Sequence, residues 1–361
     1  MTAKKILLSA LMLTISSFSF ALEKKTICTW DPVGKNGPVM TFYSDLKPKA
    51  IAWGLDLEFI AYTDEKVAAN DFKAGVCDGA HLSAILSRQF VPFAGTLDAI
   101  GGIISDEGLG KIMATLASPK AGKIMTNGQY EAVAAWPVGS MFAFVNDRNI
   151  DTVAEFSGKK ISVLNEDPQT LKLANMAGAS PVGTSLATFS GQFNNGNIDI
   201  LLMPALAYNT FELYHGLGEK GGILDYRLFY GMLQTVTKKD AFPADFGDKM
   251  RSYVVGRLKD INKLVEDAEK EIPSKYWIKT DEATQKELVK FSREIRLALK
   301  EEGKMDPKNR ILKKVRTQII SEELTSRKAD QKMYQSTFGW VNKDDRAGYE
   351  QVYNALMKGH D

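Results

Sequence analysis

The sequence predicts an α/β protein of two lobes with a cleft between them. Three observations support this prediction: strands and helices alternate through the first half of the chain, a second unit of the same kind begins near residue 141, and amphipathic helices follow in the last third. Such alternation is typical of parallel sheets that are covered by helices on both faces. With 361 residues, the chain has the length of about two ordinary domains.

The first unit begins with a strand over residues 26–30, which ends at the turn-rich segment 31–34. A helical stretch up to residue 53 leads into residues 55–60, where apolar and polar side chains alternate as in a strand. Residues 66–75 are predicted to form a helix with Val67, Ala68 and Phe72 facing the core, and a further element begins at 78–81.

The second unit repeats this organisation, so the sequence predicts two separate sheets, one in each lobe. Strands are predicted over 141–145, 160–164 and 198–202, and a helix over 168–178. Because open parallel sheets bind ligands at the carboxyl ends of their strands, the cleft between the two units is the predicted site.

Apolar residues recur at spacings of three and four over 249–272, 288–299 and 311–319. These patterns predict amphipathic helices, which either pack on the lobes or pair with a partner in a coiled coil. The predicted organisation begins with a signal peptide over 1–21. Lobe I comprises 22–140 with part of the C-terminal region, and lobe II comprises 141–228. Residues 229–361 are predicted to form a strand that crosses back, followed by helices that pack across both lobes.

The N-terminus has the features of an export signal. Two lysines precede the apolar run 6–15, and a small-residue cleavage motif ends at Ala21. We expect cleavage after Ala21 and a periplasmic protein that is not embedded in the membrane. An uncleaved anchor is the alternative, although the run is shorter than the roughly 20 residues of a spanning helix.

The chain has two cysteines, Cys28 and Cys77. In an oxidising compartment they have only each other to pair with, and the chain-entropy argument gives such a bridge roughly 4 kcal/mol of stabilisation. Two buried free thiols are the alternative. The three histidines are scattered along the chain and lack metal-ligand spacing, so neither a metal nor a cofactor is expected.

The composition and motifs exclude several classes of function. Basic side chains exceed acidic ones by only two, so the charge gives no general reason to bind nucleic acid. The sequence has no nucleophile elbow, zinc-protease helix or phosphate-binding loop. Glu166 and Asp167 suit either acid/base chemistry or the start of a helix at Pro168. A binding protein is therefore favoured over an enzyme, and no catalytic residue is expected.

The order of several short motifs resembles that of a known family. The segments are TVAEFSGKKI at 152–161, AGASPV at 177–182, SGQFNNGNID at 190–199, FKAGVCDG at 72–79 and LALKEEGK at 297–304. This order resembles periplasmic solute-binding proteins of the DctP type, which serve tripartite ATP-independent (TRAP) transporters. A narrower resemblance is to the AdeT-like group, whose members have also been labelled as efflux-associated.

The resemblance implies a two-lobe periplasmic-binding-protein fold of the type II kind, with a helical C-terminal region. It also implies a small-molecule ligand in the interlobe cleft and inner-membrane transporter subunits as partners. In this family the strand after Gly-Lys-Lys commonly carries an arginine that binds the ligand carboxylate; the matching residue here is Ser162. At a second position, where the family pattern leads us to expect an asparagine, this sequence has Met203. These changes favour either a less acidic, more apolar or cationic ligand or the loss of transport-type binding, unless Arg88 or a lysine at 159 or 160 restores a positive anchor.

The candidate ligand-binding residues, most of them just past strand ends, are Trp30, Asp31, Asp78, His81, Ser83, Arg88, Trp136, Ser140, Ser162, Asn165, Glu166, Gln169, Met203, Tyr208 and Asn209. A core position suits the two tryptophans equally well, and a structural role suits His81. Arg88 fits either a ligand carboxylate or a surface ion pair. The alternative function is an accessory component of an RND-type multidrug efflux system, although the sequence lacks the long coiled-coil hairpin typical of efflux adaptors.

Overall fold

The computed structural model describes residues 22–304. Its strands are β1 (Glu23–Trp30), β2 (Leu55–Tyr62), β3 (Gly79–Ser83), β4 (Thr126–Asn127), β5 (Tyr130–Val145), β6 (Lys160–Leu164), β7 (Ser180–Thr184), β8 (Ile200–Pro204), β9 (Gly222–Leu224), β10 (Phe229–Lys238) and β11 (Trp277–Ile278). Its α-helices are α1 (Pro38–Ser44), α2 (Lys47–Ala52), α3 (Glu65–Ala74), α4 (Ala84–Ser87), α5 (Asp106–Leu116), α6 (Pro168–Met176), α7 (Phe189–Asn194), α8 (Ala207–Thr210), α9 (Tyr214–Leu217), α10 (Phe246–Glu271) and α11 (Glu282–Glu301).

Two predicted features lie outside the described residues: the signal peptide over 1–21 and the apolar pattern over 311–319. Within residues 22–304, no helix combines the length and the apolar character that a membrane crossing requires.

The described strands form one sheet of 11 strands, whose main path is β2-β1-β3-β10-β5-β8-β6-β7. At one end, β1 pairs in parallel with β2 and β3; at the other, β6 pairs in parallel with β7 and β8. The α/β fold class is therefore confirmed. The expectation of two separate sheets is wrong, because β5 and β10 join the two parallel groups by antiparallel pairing.

Strand β5 belongs to both lobes, which we define by the two parallel groups: lobe I around β1–β3 and lobe II around β6–β8. The first part of β5 pairs with β10, and residues 141–145 pair with β8. Gly139 lies between these parts with a φ of +100°. Glycine adopts this conformation without the steric cost that a Cβ would bring. The strand can thus bend where the two lobes meet.

The lobes have separate apolar cores. Phe72, Leu82 and Trp136 belong to the core of lobe I. In lobe II, side chains alternate along β5, so that Ala143 contributes to the core on one face of the sheet and Phe144 to the core on the other. Helices α6 and α11 cover the first of these faces, and α7 and α9 cover the second.

Helix α10 contacts both lobes. Met250 and Val254 lie in the core of lobe I, whereas Ala268 packs against a core of lobe II. Most of the apolar side of this helix is therefore covered by the chain itself, and α11 packs against α6 in the same way.

The segment after Thr96 passes between the lobes. Leu97 is buried in the core of lobe I, and Ile100 is buried in a core of lobe II. The Gly101 N–H donates to the Leu228 carbonyl at 2.7 Å, and the Ile100 N–H donates to Oε1 of Gln169 at 3.0 Å. This short loop fixes one wall of the interlobe cleft.

The predicted disulfide bond between Cys28 and Cys77 is present. Cys28 lies in β1, Cys77 precedes β3, and their Cα atoms are 5.8 Å apart. The two strands are paired neighbours, which explains why the cysteines meet. Both side chains are fully buried.

Candidate functional site

A cavity of about 400 Å³ lies between the lobes. Lobe I contributes residues at the ends of β1 and β3 and from α1, and lobe II contributes residues from β6, β8 and the start of α6. Strands β5 and β10 form its back where they cross between the lobes, and α10 adds Ile261, Leu264 and Val265. Leu264 and Leu206 line the cavity and are 54% and 37% exposed, so its mouth is apolar.

Most of the cavity wall is apolar. Trp30, Phe42 and Trp136 line it from lobe I, and Leu202 and Met203 line it from β8. The described lining residues include no lysine and no arginine; the acidic ones are Asp98 and Asp167. An isolated carboxylate that entered this cavity would lose its hydration without gaining a cationic partner.

The polar groups of the lobe I wall are largely paired with one another. The Tyr43 hydroxyl lies 2.5 Å from Nδ1 of His81 and 2.6 Å from Oγ1 of Thr235. The Trp136 indole N–H donates to the same Thr235 oxygen at 2.9 Å. Burial lowers the pKa of His81 to about 3, so its imidazole is neutral at physiological pH. This network fixes the shape of the wall and leaves His81 without a charge.

Trp30 is different, because it ends β1 on the cavity wall with its Nε1 unpaired. The side chain is only 7% exposed, and its indole N–H has no hydrogen-bond partner among residues 22–304. A buried donor without a partner costs free energy. The Trp30 N–H is thus an unsatisfied donor in the cavity wall, and a ligand acceptor that reached it would recover this cost.

Asp98 is a cavity residue that the sequence analysis did not single out. It is 6% exposed, and its Oδ1 lies 3.6 Å from Nη2 of Arg88 with no hydrogen bond to it. Burial raises the pKa of Asp98 to about 7; Arg88 opposes this shift and the charge of Asp167 adds to it. Arg88 is thus paired behind Asp98 and does not itself line the cavity.

The N-terminus of α6 forms the polar part of the lobe II wall. Asp167 caps this helix by accepting hydrogen bonds from the Gln169 N–H at 3.0 Å and from the Thr170 hydroxyl at 2.5 Å. Ser162 also lines the cavity, where its Oγ lies 2.8 Å from Oγ1 of Thr184. These hydrogen bonds hold the side chains in place beside the cavity.

The structure brings seven of the predicted site residues to the cavity: Trp30, His81, Ser83, Trp136, Ser162, Gln169 and Met203. Asn165 lies at a smaller crevice between the lobes. Beside that crevice, Glu166 forms an ion pair with Lys66 of α3 at 2.8 Å.

The other predicted residues lie away from the cavity. Asp31 accepts hydrogen bonds from the Val33 and Met40 N–H groups and so holds the turn after β1. Asp78 accepts from the Thr26 N–H at 2.8 Å. The remaining three are Ser140, which is buried beside the bend of β5, Tyr208, which lies in a core of lobe II, and Asn209, which donates to Glu271.

The two lobes and the cavity between them define the class of solute-binding proteins. In fold, the chain is similar to a TRAP periplasmic solute-binding protein from Haemophilus influenzae with bound L-gulonate, with a TM-score of 0.67 at 12% identity over 81% of this chain and 99% of that one. A second example, from Desulfovibrio salexigens with bound orotic acid, has a TM-score of 0.64 at 13% identity over 76% of this chain and 92% of that one.

The sequence relationship is more specific. Residues 40–330 match the family described as Solute-binding protein AdeT 1/2, and the chain belongs to this family. It is 40% identical to the probable solute-binding protein AdeT1 of Acinetobacter baumannii over 288 residues, 80% of this chain and 95% of that protein. It is 28% identical to AdeT2 of the same organism over 184 residues, 51% of this chain and 77% of that protein. The protein is accordingly a solute-binding protein and not an enzyme.

Proposed function

We propose that the protein captures a small molecule in the interlobe cleft, in the periplasm, and delivers it to a membrane transporter. In this proposal the site does not use the pairing of a ligand carboxylate with an arginine. The observation that carries the proposal is the apolar cavity, whose described lining includes no lysine and no arginine.

The residue at the family arginine position supports this reading. Ser162 has no charge, and its hydroxyl is already paired with Thr184 inside the wall. Serine cannot replace a planar guanidinium that binds both oxygens of a carboxylate. Lys160 starts β6 and is exposed, and neither it nor Lys159 lines the cavity.

The ligands of proteins with a similar fold can be compared with the cavity of this protein. Two of them are described with bound orotic acid and L-gulonate, which are anions at neutral pH. Placing such a carboxylate in a cavity without a cation would cost several kcal/mol. We therefore propose that the ligand of this protein is neutral or cationic and largely apolar.

Calorimetry with orotate, D-glucuronate and sialic acid tests this proposal. We expect no binding by any of these acids at millimolar concentration, and we expect mass spectrometry of the small molecule that copurifies to show a neutral or cationic compound. Micromolar binding of an acid would contradict the proposal if it is lost in Ser162→Ala and kept in Ser180→Ala, a control at the exposed start of β7.

The role in drug efflux is the competing proposal, since an apolar cavity also suits drug molecules. Deletion of the gene distinguishes the two. Loss of drug resistance without any ligand for the purified protein would favour an efflux accessory, whereas a ligand that raises the melting temperature without being turned over favours transport.

A further inference from the structure

Two buried polar atoms among the cavity-lining residues have no hydrogen-bond partner within residues 22–304. They are Nε1 of Trp30, a donor, and Oδ1 of Asp98, an acceptor. Both side chains are more than nine-tenths buried. Most of the other polar side chains of the wall are paired with protein groups. These two buried atoms are therefore the polar groups of the described wall that a ligand reaching them would satisfy.

The charges around Asp98 do not balance. Arg88 lies 3.6 Å from Asp98, and its Nη2 donates a hydrogen bond to the Gly95 carbonyl at 3.4 Å instead. Asp167 brings a second carboxylate to the same cavity. Arg88 therefore lies beside one of these carboxylates, and the described lining residues supply no cation for the other. A positive group on the ligand would restore the balance.

The rest of the cavity wall determines the second property of the ligand, which is its apolar character. Aromatic side chains of lobe I and aliphatic ones of lobe II line the same cavity as the two carboxylates, and the mouth beside α10 is apolar. Aromatic faces also attract cations, which makes Trp30 and Trp136 compatible with a positive group nearby.

Building on the proposed function, we infer that the ligand is an apolar amine whose ammonium group binds the carboxylate of Asp98. The Trp30 indole N–H is left to donate to any acceptor that the natural ligand carries in addition. Asp98 would then be the specificity-determining residue of the cleft. The raised pKa of Asp98 agrees with this inference, since burial favours the protonated form and Arg88 offsets this effect only in part.

Three compounds of nearly equal size and different charge test the inference by calorimetry at pH 8: 4-phenylbutylamine, 4-phenylbutan-1-ol and 4-phenylbutanoate. We expect the amine to bind at least tenfold more tightly than the alcohol and the acid not to bind. In Asp98→Asn the affinity for the amine is expected to fall at least tenfold, while that for the alcohol stays within twofold. The exposed Asp240→Asn is the matched control and is expected to change neither.

A second variant separates a ligand contact from a structural effect. Arg88→Gln removes the cation that competes for Asp98, so the amine is expected to bind more tightly, opposite to the effect of Asp98→Asn. Equal affinities for the amine and the alcohol would overturn the inference and leave the proposed function standing. Preferred binding of the acid would overturn both. If none of the three binds, the inference is overturned, and the copurifying molecule decides the proposed function.

Discussion

The ammonium of Lys66 on α3 lies 2.8 Å from the carboxylate of Glu166, which precedes α6, so an ion pair connects the two lobes. Both side chains are about half exposed, and such pairs contribute at most about 1 kcal/mol. Glu166 also adopts a φ of +70°, a conformation unusual for a residue other than glycine. Because the pair spans the two lobes, it adds its small energy to the free energy that is needed to separate them.

We predict that Glu166→Gln accelerates ligand release about two- to fivefold and leaves the melting temperature almost unchanged, as expected from the loss of at most about 1 kcal/mol. Stopped-flow tryptophan fluorescence, with 4-phenylbutylamine displaced from the cleft, measures the release rate. Asp267→Asn is the control, since it breaks an exposed pair with Lys263 within α10. An unchanged release rate at low salt would contradict the role of the pair, and 1 M salt is expected to remove the difference.

Replacing both Cys28 and Cys77 with alanine is expected to lower the free energy of unfolding by about 4 kcal/mol, because the bridge restricts the unfolded chain. Urea unfolding measures this loss. Since both cysteines are buried, the native protein is expected to resist reduction until it unfolds. The wild-type protein, unfolded and reduced with dithiothreitol, is the control and is expected to match the double variant. A loss below about 1 kcal/mol would show that the bridge does little to stabilise the chain.

Gly139→Ala is expected to destabilise the protein by about 1–3 kcal/mol, because the residue has a positive φ in the bend of β5. A Cβ at this position would also lie 2.9 Å from Cγ1 of Val265 on α10. Gly128→Ala is a matched control, since its φ is +57° and the space around it is open. Chemical denaturation compares the two variants, and an equal loss in both would rule out the contact with Val265 as a contributor.

Glu65 is expected to make stability fall as the pH rises. It is 8% exposed and accepts a hydrogen bond from the Ser83 N–H, and burial raises its pKa from the ordinary value of 4.5 to about 7. Between these values the folded chain holds the proton more tightly than the unfolded chain, so stability is lost as the pH increases through this interval. The shift corresponds to a loss of about 3 kcal/mol.

Glu65→Gln keeps an oxygen that can accept from Ser83 and removes the charge. We expect this variant to gain stability relative to the wild type between pH 5 and pH 8, as measured by urea unfolding across that range. The exposed Glu287→Gln serves for comparison. A difference between Glu65→Gln and the wild type that stays constant across the range would mean that the buried carboxyl group is not responsible.

The sequence was most informative about the regular elements. Strand β6 has the predicted bounds, because the chain turns at Gly158 and then alternates into the core. The prediction for α3 was wrong at Val67, which is 47% exposed. The helix begins at Glu65 and buries Ala68, Ala69 and Phe72, and this spacing turns Val67 outward. The predicted strand 141–145 is only the end of β5, since Pro137 and Gly139 interrupt the local pattern but bend the strand without ending it.

The site depends on contacts that no local pattern reveals. Trp30 and His81 reach the cavity because neighbouring parallel strands end at the same edge of the sheet. Asp98 lies in a loop without periodicity. It lies beside Arg88, and its loop is held to α6 by the hydrogen bond from the Ile100 N–H to Gln169. The one available signal was a lone carboxylate between apolar residues at 97–100.

The long strands β5 and β10 also determine how the protein unfolds. Each of them carries part of the hydrogen-bond ladder of lobe I and continues to the border of lobe II, and β5 pairs there with β8. Unravelling either lobe therefore removes backbone partners from the other, although their apolar cores are separate. We therefore expect the two lobes to unfold as one cooperative unit, in which the free energy gained on ligand binding also protects residues that never touch the ligand.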